Sequence, residues 1–475
     1  MIRIYLDWNV VSNFKKEGFK EIREFIFEHK DCLQFPYTPA HFKDLMKSFN
    51  TENPHFTQDL NNLEYLSEKH LLRWGTDGIE ALFGTPKEYF EGEKQNEDIF
   101  TLMDIEKIFN NLDGNEFGIG KFGTLLKTLY QLQPSGIEIN DDNREMLKNM
   151  FPNIEDNSTM WDLMKDITPF TQKLLTEKEY FKDLRKTISD KGFKLEPNSG
   201  NWSTDAVFKN IDSFLQKQNT KLTFLEYVNS CFKHKKEGVN KYEYYTTAYL
   251  LLDIIGYKSD RLPKPTDNMQ NIQTDAEHSF YSAYCDYFVV LDKKLTTKTK
   301  VLFKEFNIPT EVISPSEFID KIKSKIHFIN TEKHFISEAL ELLENENIVE
   351  TYEKSDENET ETYAFKLPLF YFNFFNYAIY QNYSEQNACI LIFRKVFKNY
   401  SSFIFYTETE RLIDRICNFF GYEDNEEFKI KKNEFVYGDN AVVFMWNYES
   451  GIIKLEKDNE FRRPELTYIV RTSEN

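Results

Sequence analysis

The sequence predicts an α/β chain: a parallel sheet with covering helices, interrupted by an all-helical insertion and followed by an α+β region. Three observations predict it. Strand-like and helix-like segments alternate at the two flanks of the first two-thirds of the chain. Residues 287–291, YFVVL, form a near-continuous apolar run, as in a parallel strand covered on both faces. Between the flanks, over 51–266, the apolar spacing is helical and no strand signal is convincing.

The elements follow in order. Residues 2–6 are a short β-type run ending at Asp7. A helical pattern covers about 10–15, and a second covers 19–29 with Ile22, Phe25 and Ile26 on one face. Residues 33–37 read as a second strand. Thr38 is a good N-cap and Pro39 suits the first helical position. That third helix turns Phe42 and Leu45 inward and carries Asp44 near its second turn. Helices are then expected near 57–74, 98–111, 121–132, 177–191, 206–218, 224–236 and 242–255.

Asp275 opens the next helix, where Ala276, Phe280 and Ala283 share helical spacing; strand 287–291 follows, closed by Asp292. A helix over 296–306 and a strand over 310–313 come next. Ser314-Pro315-Ser316-Glu317 reads as a capping box opening a helix that reaches about Lys325. Beyond it, the apolar run 367–380 reads as buried and 351–362 as an acidic exposed loop. Strands near 389–393, 402–406, 441–446, 451–454 and 466–470, with one helix over 407–420, suggest an antiparallel sheet. The implied domains are 1–50 with 267–325, 51–266, and 326–475.

Composition narrows the function. The net charge of -19 excludes a generally basic nucleic-acid coat, so any such contact must be a local basic patch. Five scattered cysteines without a C-x-x-C pair suggest free thiols in a reducing compartment and no zinc site. No apolar run approaches the ~18 residues of a membrane span, and the start lacks a signal-peptide pattern. The expected location is cytoplasmic, away from membranes.

Two acids share one physical position. Asp7 and Asp292 each follow a strand, and the carboxyl ends of parallel strands are where ligands bind. If the strands are neighbours, the two charges need a proton or a cation. Hard divalent ions such as Mg²⁺ or Mn²⁺ prefer such oxygen donors and serve phosphodiester chemistry. Lys293, Lys294 and Lys298 follow Asp292 and are candidates to line a phosphate path. Glu277 and His278 lie close enough to Asp275 to support it. Asp286, at the entry to the strand, reads as structural. Singly, each acid has a plainer role: Asp7 as a helix cap, Asp44 as a solvated charge, Asp275 as a helix-start acid, Asp292 as a turn residue.

The stretches Tyr5-Leu6-Asp7-Trp8-Asn9-Val10-Val11-Ser12, Pro39 to Asp44, and Asp275 through Ala283 to Asp286-Tyr287-Phe288-Val289-Val290-Leu291-Asp292-Lys293 resemble the PIN-domain nucleases. The resemblance covers about 1–50 and 267–325. It implies a three-layer α/β/α fold with a parallel sheet, and metal-dependent phosphodiester hydrolysis, commonly of RNA. By that resemblance Asp7, Asp44, Asp275 and Asp292 bind one or two Mg²⁺ or Mn²⁺ ions, and Asn9 orients Asp7. Trp8 and Val290 stand where the family usually has hydroxyl residues. The expected function is a ribonuclease, by analogy toxin-like or active in phage defence, with a C-terminal region that binds a protein partner or regulates. The rival expectations are a binding module with a degenerate site, and a nuclease acting on DNA flaps or single strands.

Overall fold

The computed structural model describes residues 1–47, 49, 54–75, 78–92, 197–218, 221–232, 239–258, 269–328, 335–344, 348–352, 360–383, 387–396, 406–448, 451–458 and 463–471, with isolated positions between 144 and 195. Its residues form two compact units, Met1–Pro86 with Ser279–Asn475, and Lys87–His278. The helices expected near 98–111, 121–132 and 177–191 lie outside the described residues apart from Lys186.

The chain opens with β1 (Ile2–Leu6), α1 (Trp8–Asn13), α2 (Lys20–Glu28), β2 (Leu33–Gln34), α3 (Pro39–Lys47) and α4 (Pro54–Ser67). All five residues of β1 are buried, as its unbroken apolar character requires of a strand covered on both faces. On α2 the buried residues are Ile22, Phe25 and Ile26, the expected stripe. Strand β2 is shorter than expected. Pro36 has no N–H to give the ladder, so pairing with β1 stops at Arg3 and Gln34. Tyr37 turns instead to β3 (His70–Gly75), accepting from Leu72 N–H at 2.8 Å and donating to His70 O at 2.9 Å.

Strand β3 corrects the expected helix over 57–74 and the all-helical reading of 51–266. It forms an antiparallel hairpin with β4 (Gly78–Phe83), in register from His70 with Phe83 to Gly75 with Gly78. Gly78 has φ +131, a backbone that side-chain-bearing residues rarely adopt. The paired glycines were the available signal. Leu71 and Leu72 instead extended the helical spacing of α4.

Within the second unit lie α5 (Val207–Lys217), α6 (Phe224–Ser230) and α7 (Lys241–Ile254). Thr223 and Asn240 cap the last two, accepting from Glu226 N–H and Glu243 N–H. Phe208 meets Phe224 at 5.5 Å between ring centroids. Helix α8 (Met269–Ser282) crosses from this unit into the first at Ser279. It begins well before Asp275, which therefore sits mid-helix and does not open it.

Strands β5 (Tyr287–Val289) and β6 (Glu311–Ile313) complete a four-stranded parallel sheet of order β2-β1-β5-β6. Leu6 pairs with Val289, so β1 and β5 are parallel neighbours. Helix α9 (Lys293–Glu305) follows β5, and α10 (Pro315–Lys323) follows β6. The Glu317 carboxylate accepts from the Ser314 N–H at 2.8 Å and Oγ–H at 2.7 Å, as the capping box predicts.

The rest of the first unit holds α11 (Phe335–Glu344), β7 (Ile348–Tyr352), β8 (Thr360–Tyr371), β9 (Phe375–Tyr383), β10 (Ala388–Arg394), α12 (Tyr406–Phe420), α13 (Glu426–Tyr437), β11 (Phe444–Tyr448), β12 (Gly451–Lys457) and β13 (Pro464–Arg471). Their strands make one seven-stranded antiparallel sheet. Every second residue of β10 is buried, the alternation that predicts one covered face. Leu391, Phe393, Leu455 and Tyr468 on that face join Ala339, Leu412, Ile416 and Phe435 from the helices in one core. Two helices and strands β7 to β9 go beyond the expected single helix. The acidic 351–362 includes the end of β7 and the start of β8. Of the strand expected at 402–406, Tyr406 opens α12 and the remainder lies outside the described residues.

Buried charges join the two sheets. Arg3 Nε and Nη2 donate to Glu408 Oε1 and Oε2 at 2.6 and 2.7 Å. Asp286 Oδ2 accepts from Arg3 N–H at 2.8 Å and from Lys395 Nζ at 3.2 Å. Lys395 Nζ also donates to Met1 O at 2.7 Å. The region 326–475, expected to stand apart, therefore belongs to the same compact unit as β1 and β5.

Candidate functional site

The carboxyl ends of β1 and β5 define the candidate site. Asp7 follows Leu6, and its N–H donates to Val289 O at 3.0 Å. Pairing of Leu6 with Val289 sets Asp7 level with Val290, and Asp292 lies two residues further along the neighbouring chain. Both acids thus stand at one edge of the sheet, the edge at which open parallel sheets take ligands.

Asp7 is only 2% exposed. It occupies the N-cap position of α1, yet its side chain makes no hydrogen bond to the first turn. That removes the helix-cap explanation for a buried carboxylate. Asn9 Nδ2 donates to its Oδ2 at 3.3 Å.

Asp292 differs. It is exposed, and its Oδ1 accepts from Lys294 N–H at 2.7 Å and Leu295 N–H at 2.8 Å, capping α9. Helix α9 consequently starts three residues before the expected position. Lys293 is exposed and Lys294 half-buried at this helix start, beside Asp292. Lys298 is 1% exposed and points into the protein, so it does not extend a surface phosphate path. Leu291, expected in the strand, is exposed, and Val290 is buried and donates its N–H to Ile313 O.

Asp44 lies half-buried on α3 and accepts from Lys47 Nζ at 2.7 Å, one turn along the same helix. Asp275, Glu277 and His278 belong to the second unit. There Glu277 is buried and accepts from Tyr242 Oη at 2.8 Å, His278 is fully buried, and Asp275 is half-buried. Asp286 is structural, as expected, bound to Arg3 and Lys395.

A hard divalent cation suits the donors at the strand ends. Mg²⁺ is commonly held by one or two carboxylates and keeps the rest of its shell for water and phosphate. Asp7 and Asp292 offer that number. No group of three or more His, Cys, Asp or Glu side chains that could hold an ion gathers among the described residues.

Three further residues, given no site role by the sequence reading, meet beside the end of β1: Tyr5 of that strand, and Thr38 and His41 at the start of α3. Tyr5 Oη lies 2.7 Å from Thr38 Oγ1. Thr38 N–H donates to His41 Nδ1 at 3.1 Å, and His41 Nε2 lies 2.9 Å from Leu6 O. All three are buried. Burial, together with the nearby Asp7 charge, pushes the Tyr5 phenol well above its ordinary value despite the Thr38 hydrogen bond, so it stays protonated. The only sequence signal was the Thr38–His41 spacing at the start of α3.

A groove of about 310 Å³, lined by Phe14, Ile26, Phe27, Tyr65 and Leu66 among others, lies along α2 and α4, and none of the candidate acids lines it. Among the described residues no helix is long and apolar enough to cross a membrane. No family model, curated protein or solved structure matches the chain.

Proposed function

We propose that this chain is a metal-dependent nuclease of PIN-like fold, acting on RNA, with its centre at the carboxyl ends of β1 and β5. The observation that carries the reading is Asp7: a carboxylate buried at the end of a central parallel strand, without a capping role, at the same sheet edge as Asp292.

Asp7 and Asp292 would hold the ion, and Asn9 would fix the direction of the Asp7 carboxylate. When bound, Mg²⁺ or Mn²⁺ supplies a more acidic water and positive charge for the phosphate. Lys293 and Lys294 would receive the nucleic-acid backbone at the start of α9. Asp44 is the further acid that this reading assigns within the first unit; Asp275, with Glu277 and His278 beside it in sequence, belongs to the second unit and is given no place in this centre. Toxin-like or phage-defence use follows by analogy alone.

The test is Mn²⁺-dependent cleavage of total RNA and of single-stranded DNA at low salt by wild type, Asp7→Asn and Asp292→Asn. Cleavage by wild type, reduced on the order of a hundredfold in both variants, supports the site and names the substrate class. Equal cleavage by all three sinks the assignment.

A second reading keeps the fold and loses the chemistry. Asp44 is paired with Lys47, Asp292 caps its own helix, and Val290 brings no hydroxyl. On this reading the chain binds nucleic acid or metal without cutting. Mn²⁺ binding by wild type with no cleavage of either polymer would favour it.

A further inference from the structure

Backbone groups of a strand alternate in direction, odd residues to one neighbour and even residues to the other. In β1, Arg3 accepts from Asp286 N–H and Asp7 donates to Val289 O, so odd-numbered residues face β5. Leu6 therefore points its carbonyl to the opposite side. There β2 has already ended at Gln34, and no strand partner continues the ladder. The imidazole of His41 fills the gap. Its Nδ1 accepts from Thr38 N–H, which leaves the ring proton on Nε2, aimed at Leu6 O 2.9 Å away. Tyr5 Oη closes the other side of this arrangement, 2.7 Å from Thr38 Oγ1.

From this geometry we infer that His41 is a positioning residue: it clamps the last carbonyl of β1 and so sets the direction in which Asp7 leaves the sheet. The inference rests on the nuclease reading for its consequence, because a clamp on Leu6 matters to chemistry only if Asp7 holds the ion. The pair of bonds is divisible. Asparagine at 41 can replace Nδ1 toward Thr38 but is too short to reach Leu6 O. Glutamine can place an amide N–H at the Nε2 position. Both are polar and smaller than or similar to histidine in volume, so neither forces the core apart.

The full chain is compared as wild type, His41→Asn, His41→Gln and Asp7→Asn. Three quantities are measured: amide hydrogen exchange at Asp7, Mn²⁺ affinity by calorimetry, and kcat and KM on single-stranded RNA. We expect His41→Asn to lose about tenfold in Asp7 amide protection and in Mn²⁺ affinity, with kcat reduced and KM for RNA unchanged. His41→Gln restores most of each. Equal behaviour of the two variants, or wild-type protection and affinity in His41→Asn, would overturn the clamp. Reduced protection in His41→Asn, with Gln rescue, while wild type neither binds Mn²⁺ nor cleaves, would uphold the clamp and overturn the nuclease reading.

Discussion

Arg3 and Glu408 show what a fully buried ion pair demands of its residues. Burial by itself would raise the Glu408 carboxyl; the Arg3 guanidinium and other cations, Lys395 among them, more than offset it and hold the group at about 2. The pair is bidentate, which is the strong geometry. Arg3→Met leaves Glu408 buried without its main partner, and urea unfolding should show a loss of about 3–5 kcal/mol. Replacing both residues with methionine should cost far less in the same assay. The pH dependence has a definite sign. A folded value below the ordinary 4.5 means the folded chain holds this proton less tightly than the unfolded chain. The stabilisation is fully present above pH 4.5 and drains as pH falls from there toward 2. The stability difference between wild type and Glu408→Gln should therefore shrink over that interval; a constant difference would contradict the pairing.

At the scale of elements, helix α9 separates two roles of one residue. Asp292 caps the helix and, in the proposed function, holds the ion. Asparagine is as good an N-cap as aspartate, whereas alanine is not. Asp292→Asn should keep its stability and lose cleavage. Asp292→Ala should lose cleavage and also about 1 kcal/mol in thermal or urea unfolding. If both variants cleave RNA as wild type does, Asp292 is a cap and nothing more. The β3–β4 hairpin depends on its turn in the same local way. Gly78 at φ +131 has open space around it, so the penalty for Gly78→Val is backbone strain and not a clash, about 1–3 kcal/mol by urea unfolding. The element-level reading of the sequence succeeded where a cap and a periodic face agreed, as at Ser314–Glu317 and Ile22–Phe25–Ile26. It failed at β2 and β3, where Pro36 and two glycines outweighed the spacing of leucines.

The whole molecule turns on one arrangement that no local pattern announces. The far ends of β1 and β5 carry Asp7 and Asp292, while their near ends carry Arg3 and Asp286, which bind Glu408 and Lys395 of the C-terminal region. A chain ending at Ile326 would strip both partners and leave Arg3 and Asp286 buried and uncompensated. We expect it to lack a cooperative thermal transition by circular dichroism, where the full chain has one. A cooperative transition in the truncated chain would show that the α/β part stands alone.

The sequence by itself determined the end of β1 that bears Asp7, the parallel character of the sheet and the alternation of the C-terminal strands, whereas β5 stops at Val289, three residues short of Asp292. These depend on periodicity, caps and apolar runs, which are written within a few residues of one another. Only the tertiary structure decided that β1 and β5 are neighbours, that Lys298 is buried, that His41 holds the Leu6 carbonyl, and that Glu408 neutralises Arg3 across 405 positions of chain. The physical reason is that a buried charge or an orphaned carbonyl needs some partner, but its own residue does not specify which one; the folded chain supplies it from wherever packing brings a donor within reach.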